Sequence, residues 1–312
     1  MCMSRFSFIG GTKRGYELLK TLIERKYVPI YTVITKEDEH EKEKYYLKIS
    51  ELLKDKDIPF RIRKKLSEKD YDEIENSKSD FVIVFGWRTL IDTKLNSHLK
   101  AGIIASHFSL LPKYRGFAPV QWAVINGETE SGVTLFLIND GEIDSGKIIS
   151  QIKVSISSSD YYNDIDIKMT EGAIELFLKF FDDLDSGNIT YRVQNEEDAT
   201  YTCRRIPEDG KIFWDKSSTD IYNLIRAVAH PNPGAFCLLD GKKYIINSAR
   251  IGDRDKIYFS GRIPGRVIYI DKEGAEILCS SGTVKILEWE DTDTGTVSNP
   301  NSDIRSVTVT LK

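Results

Sequence analysis

The chain has 312 residues, 40% of them hydrophobic and 29% charged, and its 44 Lys and Arg against 48 Asp and Glu leave a formal net charge of −4. That length and composition suit one large globular domain and a smaller one, and the slight acidic excess argues against a broad nucleic-acid surface, which carries a basic excess. No apolar run approaches the ~18 residues of a membrane span, and Phe6 to Ile9 is too short for the apolar region of a signal peptide after Met1 to Arg5, so a cytoplasmic protein with no membrane partner is expected.

Taken in order, Ser7 to Gly10 reads as a short apolar strand, followed by Gly11-Thr12-Lys13-Arg14-Gly15 and a helix with Leu18, Leu19, Leu22 and Ile23 on one side. The glycine spacing is not that of a dinucleotide fingerprint. Two readings stay open for Gly11, Thr12 and Lys13: a substrate phosphate held at the helix start, or a tight turn in a doubly wound sheet. Val28 to Ile34 is the second strand, the Lys- and Glu-rich run Lys36 to Tyr46 a solvated loop and helix start, and Ile49, Leu52 and Leu53 mark a helix. A third strand (Ile58 to Ile62), a charged helix (Glu68 to Ile74) and the continuous apolar strand Phe81 to Phe85 follow. Alternating strands and helices predict an α/β fold with a doubly wound, mostly parallel sheet.

From Gly102 to Gly146 the pattern is strand, loop, helix, strand, loop: Ile103 and Ile104 lead to His107, a Pro and Gly loop spans Leu110 to Gly116, a helix begins near Ala118, and Val133 to Ile138 is a strand. His107 lies just past one buried strand and Asp144 in the loop after another, so adjacent strands would bring an imidazole and a carboxylate into one crevice. Lys147 to Ile156 is a strand, and Ser158, Ser159 or Asp160 caps a long helix running to about Leu184. After an irregular stretch, Ser217 to Asp220 caps a helix ended by Pro231. The short strands Ala235 to Leu239, Lys242 to Ile251, Gly265 to Ile270, Ala275 to Cys279, Thr283 to Trp289 and Val307 to Thr310 then predict a small β-barrel. The expected division is residues 1–188, a linker over 189–210, and a helix plus barrel over 211–312. Cys2, Cys203, Cys237 and Cys279 lack C-x-x-C spacing, so neither a disulfide framework nor a metal site is expected. His40, His98 and His230 have no partnered spacing and receive no role.

His107, Ser109, Leu110, Leu111, Pro112, Arg115, Gly116, Pro119, Trp122, Gly127, Gly132, Val133, Thr134, Asp144 and Gly146 form a spaced motif. It resembles the folate-dependent formyltransferases, most closely those that formylate nucleotide-linked amino sugars, with methionyl-tRNA formyltransferase a relative. Arg226-Ala227 and Pro231-x-Pro233-Gly234-Ala235 are similar to the post-catalytic domain of the amino-sugar enzymes. The resemblance implies 10-formyltetrahydrofolate as cosubstrate and a nucleotide-linked amino sugar as acceptor, in surface glycan or lipopolysaccharide synthesis. It implies a pterin-binding loop at Trp87, Arg88, Thr89 and Leu90, with a facing part at Ile138, Asp140 and Gly141. It also implies an active site of Asn-x-His plus a distant Asp, and here the Asn position is Ala105.

Formyl transfer to an amine needs a base for the amine proton and a donor for the carbonyl oxygen as it becomes an oxyanion. His107 suits the first, because imidazole titrates near neutral pH, and Asp144 would hold and support it once protonated. The methyl of Ala105 donates nothing. Arg115, in an exposed-looking loop, is read either as a loop-fixing arginine or as a contact to substrate phosphate. Residues 211–312 hold 14 Lys or Arg against 13 Asp or Glu, too small a basic excess to track tRNA phosphates, so the sugar is preferred over tRNA. Three readings remain beside it: methionyl-tRNA formyltransferase, a non-catalytic folate or nucleotide-sugar binder, and hydrolysis of the formyl carrier. A homodimer is left open.

Overall fold

The computed structural model describes residues 5–39, 41 and 43–312, so Cys2, His40 and the stretch before Arg5 lie outside it. The chain divides into two compact units that do not follow one another linearly. The first is Met1–Arg115, Gly132–Val154 and Lys168–Tyr201, and the second Gly116–Ser131, Ser155–Ile167 and Thr202–Lys312.

In the first unit β1 (Phe6–Gly10), β2 (Tyr31–Thr35), β3 (Phe60–Arg63), β4 (Phe81–Phe85) and β5 (Gly102–His107) alternate with α1 (Thr12–Glu24), α2 (Tyr45–Lys54) and α3 (Glu68–Asn76). These five strands pair in parallel. Past the two-residue β6 (Arg115–Gly116), β7 (Glu130–Ile138) pairs antiparallel with β5, and β8 (Ile148–Ser155) completes the order β3-β2-β1-β4-β5-β7-β8. Every residue of β1, β2 and β4 is buried, as a parallel sheet covered on both faces requires. On one side α1 presents a buried stripe of Gly15, Leu18, Leu19 and Leu22, the spacing that puts one helix face on a sheet. Helix α5 (Tyr162–Ser186) enters this unit through its aromatic end: Phe177 packs at 5.7 Å from Phe85, Phe180 at 5.3 Å from Phe81 and Phe181 at 5.2 Å from Phe6, all edge-on. Edge-to-face pairs add to the area they bury.

In the second unit α4 (Pro119–Ile125) packs with α6 (Ser218–Ala227), whose start is capped by Ser217 Oγ accepting from Asp220 N–H at 3.1 Å. The two-residue β9 (Tyr201–Thr202) leads into it. Its antiparallel sheet runs β10 (Ala235–Leu239), β11 (Lys242–Ile251), β14 (Thr283–Asp291), β13 (Gly274–Leu278), β12 (Val267–Asp271), with β15 (Thr296–Ser298) on β14. Val307–Thr310 is not the sixth strand expected of it; β15, which the sequence did not announce, takes that place. The terminal segment instead divides its hydrogen bonds between two edges. Val309 O accepts from Val267 N–H (3.0 Å) and Leu311 N–H donates to Gly265 O (2.8 Å) on one side, while Lys312 and Leu238 exchange a pair (2.6 and 3.0 Å) on the other. The C-terminus thereby joins the β12 and β10 edges into a barrel-like closure. Cys203 is exposed, and Cys237 and Cys279 are buried, all three as free thiols.

Candidate active site

Strand β1 sits between β2 and β4: the chain leaves it toward β2 and returns from β3 to β4 on the other side. Such a reversal opens a crevice at the carboxyl ends of the strands, where α/β proteins bind ligands. Backbone touches backbone there. Gly11 N–H donates to Phe85 O at 3.2 Å, and a Cβ on Gly86 (φ +72) would lie 2.1 Å from Gly11 O. Gly11 is buried, Thr12 half-buried and Lys13 exposed at the start of α1, and the Arg14 guanidinium lies 4.2 Å over the Phe108 ring, next in sequence to His107.

His107 ends β5, nearly buried at 8% exposure, with Phe136 edge-on at 6.5 Å. Its Nε2 lies 2.7 Å from Tyr114 O, and its Nδ1 lies 3.5 Å from Asp144 Oδ2. A carbonyl only accepts, so Nε2 carries the proton and Nδ1 is the basic nitrogen, turned to the carboxylate. The loop that supplies Tyr114 is stapled by motif residues. Thr134 Oγ1 donates to Ser109 O (2.6 Å) and accepts from Leu111 N–H (3.0 Å), Ser109 Oγ donates to Lys113 O (2.6 Å), and Gln151 Nε2 donates to Leu111 O (2.9 Å). Thr200 then fixes both Tyr114 N–H, through its Oγ1 (2.8 Å), and Arg115 N–H, through its carbonyl (2.8 Å). Tyr114 (φ 59) and Asp144 (φ 54) are both left-handed, a conformation that costs an L-residue roughly 1–3 kcal/mol and persists where its surroundings impose it.

Ala105 is two residues before His107 and so on the same face of β5. It pairs with Val84 and Phe136 and belongs to an apolar cluster with Leu111, against which Trp87 and Ile138 pack. Trp87 follows β4 at the crevice, and its indole N–H is buried with no acceptor among the described residues. Buried donors normally find a partner, so this one fits a ligand acceptor. The facing loop is tied to the Trp87 loop: Asn96 Nδ2 donates to Ile138 O (2.9 Å) and Thr93 Oγ1 to Asp140. Arg88 forks onto Glu41 (2.7 and 2.6 Å), whose carboxyl is held below the usual range chiefly by that contact. Thr89 and Gly141 are exposed, and Leu90 is 79% exposed.

Arg115 does not stand in an exposed loop. It is fully buried, with Nη1 and Nη2 on Glu196 (2.7 and 2.8 Å), Nε and Nη2 on Gln194 Oε1 (3.1 and 2.8 Å), and Nη1 on Tyr201 OH (2.9 Å). Its partners tie the residue after Tyr114 to the 194–201 segment. Gln194, Glu196 and the Tyr114 carbonyl were not visible as site groups in the sequence, since carbonyls carry no residue signal and residues 189–210 read as irregular. In the second unit, Trp122 Nε1 donates to Cys203 O (2.9 Å). Carboxylates of Asp253, Asp271 and Glu273 converge there too, around the Lys285 ammonium at 3.4, 2.7 and 2.9 Å.

A model of the formyl transferase family matches residues 5–181, and one of the formyl transferase C-terminal domain matches residues 205–299. Among solved structures, the chain is similar to WlaRD, a sugar 3N-formyl transferase crystallised in the presence of dTDP and 5-N-formyl-THF, with 21% identity over 92% of this chain and 98% of that one and a TM-score of 0.66. It is similar to the N-formyltransferase of Helicobacter canadensis in complex with folinic acid and dTDP-3-aminofucose, with 20% identity, 91% and 99% coverage and a TM-score of 0.68. It is also similar to HypX from Aquifex aeolicus in complex with tetrahydrofolic acid (18% identity, TM-score 0.65). There 97% of this chain matches 47% of the other, so the chain spans about half the length of HypX. What these identities share is the fold. Among the described residues, no helix is long and apolar enough to cross a membrane.

Proposed function

Because the chain belongs to the formyl transferase family, we propose that it moves a formyl group from 10-formyltetrahydrofolate to the amine of a nucleotide-linked (UDP or dTDP) amino sugar. The observation that carries this reading is the His107 ring, held by Tyr114 O on Nε2 and facing Asp144 through Nδ1. A proton taken from the acceptor amine arrives at Nδ1, where the Asp144 carboxylate 3.5 Å away offsets the imidazolium charge, and it passes to the carrier nitrogen as the bond from that nitrogen to the formyl carbon breaks and tetrahydrofolate leaves. The carrier supplies a formyl group activated on its own nitrogen. Trp87, Ile138, Asp140 and the backbone around them would hold its ring, with Arg88, Thr89, Leu90 and Gly141 at the rim. Gly11, Thr12 and Lys13 at the start of α1 would meet the phosphates of the sugar nucleotide. The dTDP present with one relative and the dTDP-3-aminofucose bound by another support a nucleotide-linked sugar as acceptor. We place the chemistry in residues 1–188, with 189–210 as the connection and 211–312 as the accessory domain, in a cytoplasmic enzyme of surface glycan synthesis.

Ala105 favours a second reading. With no side-chain donor at this place in an apolar cluster, the chain would bind folate and sugar nucleotide without turnover. The two readings separate in a mass-spectrometric assay of the protein and Ala105→Asn with 10-formyltetrahydrofolate, a panel of UDP- and dTDP-linked 3- and 4-amino sugars, and initiator tRNA charged with methionine. The transferase reading expects one sugar to gain a formyl group, faster with Asn. Ligand binding by calorimetry with no product from either protein would leave the binder, and formylated tRNA alone would exchange the acceptor.

A further inference from the structure

Asp144 faces His107 from a left-handed backbone position (φ 54), and the side chain bonded to its carbonyl comes from 50 residues away. Gln194, 4% exposed, donates from its one Nε2 to Asp144 O and to Gly146 O, both at 2.7 Å. An amide has two N–H groups, so both are used, one on each side of Ser145. Its Oε1 accepts from Nε and Nη2 of Arg115 (3.1 and 2.8 Å), which fixes which end of the amide faces the loop, because a guanidinium only donates. Glu196 in turn forks onto Arg115, and that contact pushes the guanidinium further above its already high ordinary value. The same Arg115 follows Tyr114, whose carbonyl takes the other side of the His107 ring. One buried side chain therefore joins the two loops that grip the imidazole.

We propose that Gln194, oriented by Arg115, is the positioning residue that sets Asp144 against His107 in the proposed formyl transfer. It touches neither reactant; it acts through the Asp144 backbone. The inference rests on the formyl-transfer reading for its consequence in catalysis, and on geometry alone for its effect on the ring. The ring has the Asp144 carboxylate at Nδ1, the Tyr114 carbonyl at Nε2 and the Phe136 edge beside it, and the Arg14 guanidinium lies over Phe108, the next residue.

The test follows the ring ¹H and ¹⁵N resonances of His107 by NMR at one fixed pH in the full chain, with the signals assigned through His107→Asn, in wild type, Asp144→Asn, Gln194→Met and the double variant. Gln194→Met removes the donors without adding charge. Moving the carboxylate away from Nδ1 changes the surroundings of the ring, so its resonances in Gln194→Met should move toward their Asp144→Asn positions. The double variant should then match Asp144→Asn, because the second change has nothing left to act through. Gln194→Asn keeps an amide but falls short by a methylene, and should shift the ring in the same direction by less; it carries the test where Met impairs folding. In turnover, kcat should drop by about 10²-fold, the cost of a misplaced group, with both KM values little changed. Ring resonances at their wild-type positions in folded Gln194→Met or Gln194→Asn overturn the inference, as do additive shifts in the double variant. A shifted ring with no turnover in any variant supports the inference and counts against the reading of the reaction.

Discussion

Ala105 and Trp87 together pose the sharpest question at the scale of single residues. An Asn amide at 105 would stand on the His107 face of β5, where one donor to an oxyanion is worth ~10²–10³ in rate, but in an apolar cluster, where an unpaired amide costs about 1–3 kcal/mol. Ala105→Asn is thus expected to turn over faster and melt lower, and steady-state rates beside thermal melts check both; an unchanged rate would remove the oxyanion role from this position. Trp87→Phe keeps an aromatic ring, though a smaller one, and deletes the orphaned N–H. It should weaken folate binding about tenfold, the worth of roughly one hydrogen bond, by calorimetry; equal affinity would show that the N–H meets no ligand. His107 and Asp144 were legible because their spacing belongs to a motif. Tyr114 O and Gln194 were not, because one is a backbone atom and the other lies across 50 residues of chain.

Elements were legible where burial dictated pattern. The runs that became β1 and β4 are apolar at almost every position because both faces are covered, and Ser217 announced α6 by its cap. Val307–Thr310 has the residues of a strand, but its bonds go to two edges of the barrel, and no local pattern records which edges a terminal segment will meet. The aromatic end of α5 offers a measurable case. Phe177 is fully buried with Phe85 edge-on, and Phe→Ala in such a core costs about 3–5 kcal/mol. Denaturant unfolding of Phe177→Ala should show a loss of that order, and one under about 1 kcal/mol would mean that the helix packs by other contacts.

Across the whole molecule, charge was read as a near-neutral sum, whereas the structure gathers it. In the barrel, the Arg250 contact and then Lys285 hold Asp253 down at about 2, and Lys285 holds Asp271 and Glu273 below their ordinary values. Depressed carboxylates stabilise the fold fully above their unfolded values of 3.8 to 4.5 and lose that contribution as pH falls toward about 2. Lys285→Met should therefore lower the urea midpoint most at neutral pH, with the gap from wild type closing in acid; a gap that ignores pH would refute the linkage. The fold class came from alternating strands and helices, but the interleaving of the two units has no trace in composition. The central claim is that this molecule transfers a formyl group with His107 as its base. The most direct measurement is transfer of isotope-labelled formyl from 10-formyltetrahydrofolate to the best amino sugar, by wild type and His107→Asn under single-turnover conditions. The account predicts labelled sugar from wild type and a loss of at least about 10² in rate in the variant. Equal rates, with both proteins folded and binding folate, would contradict it.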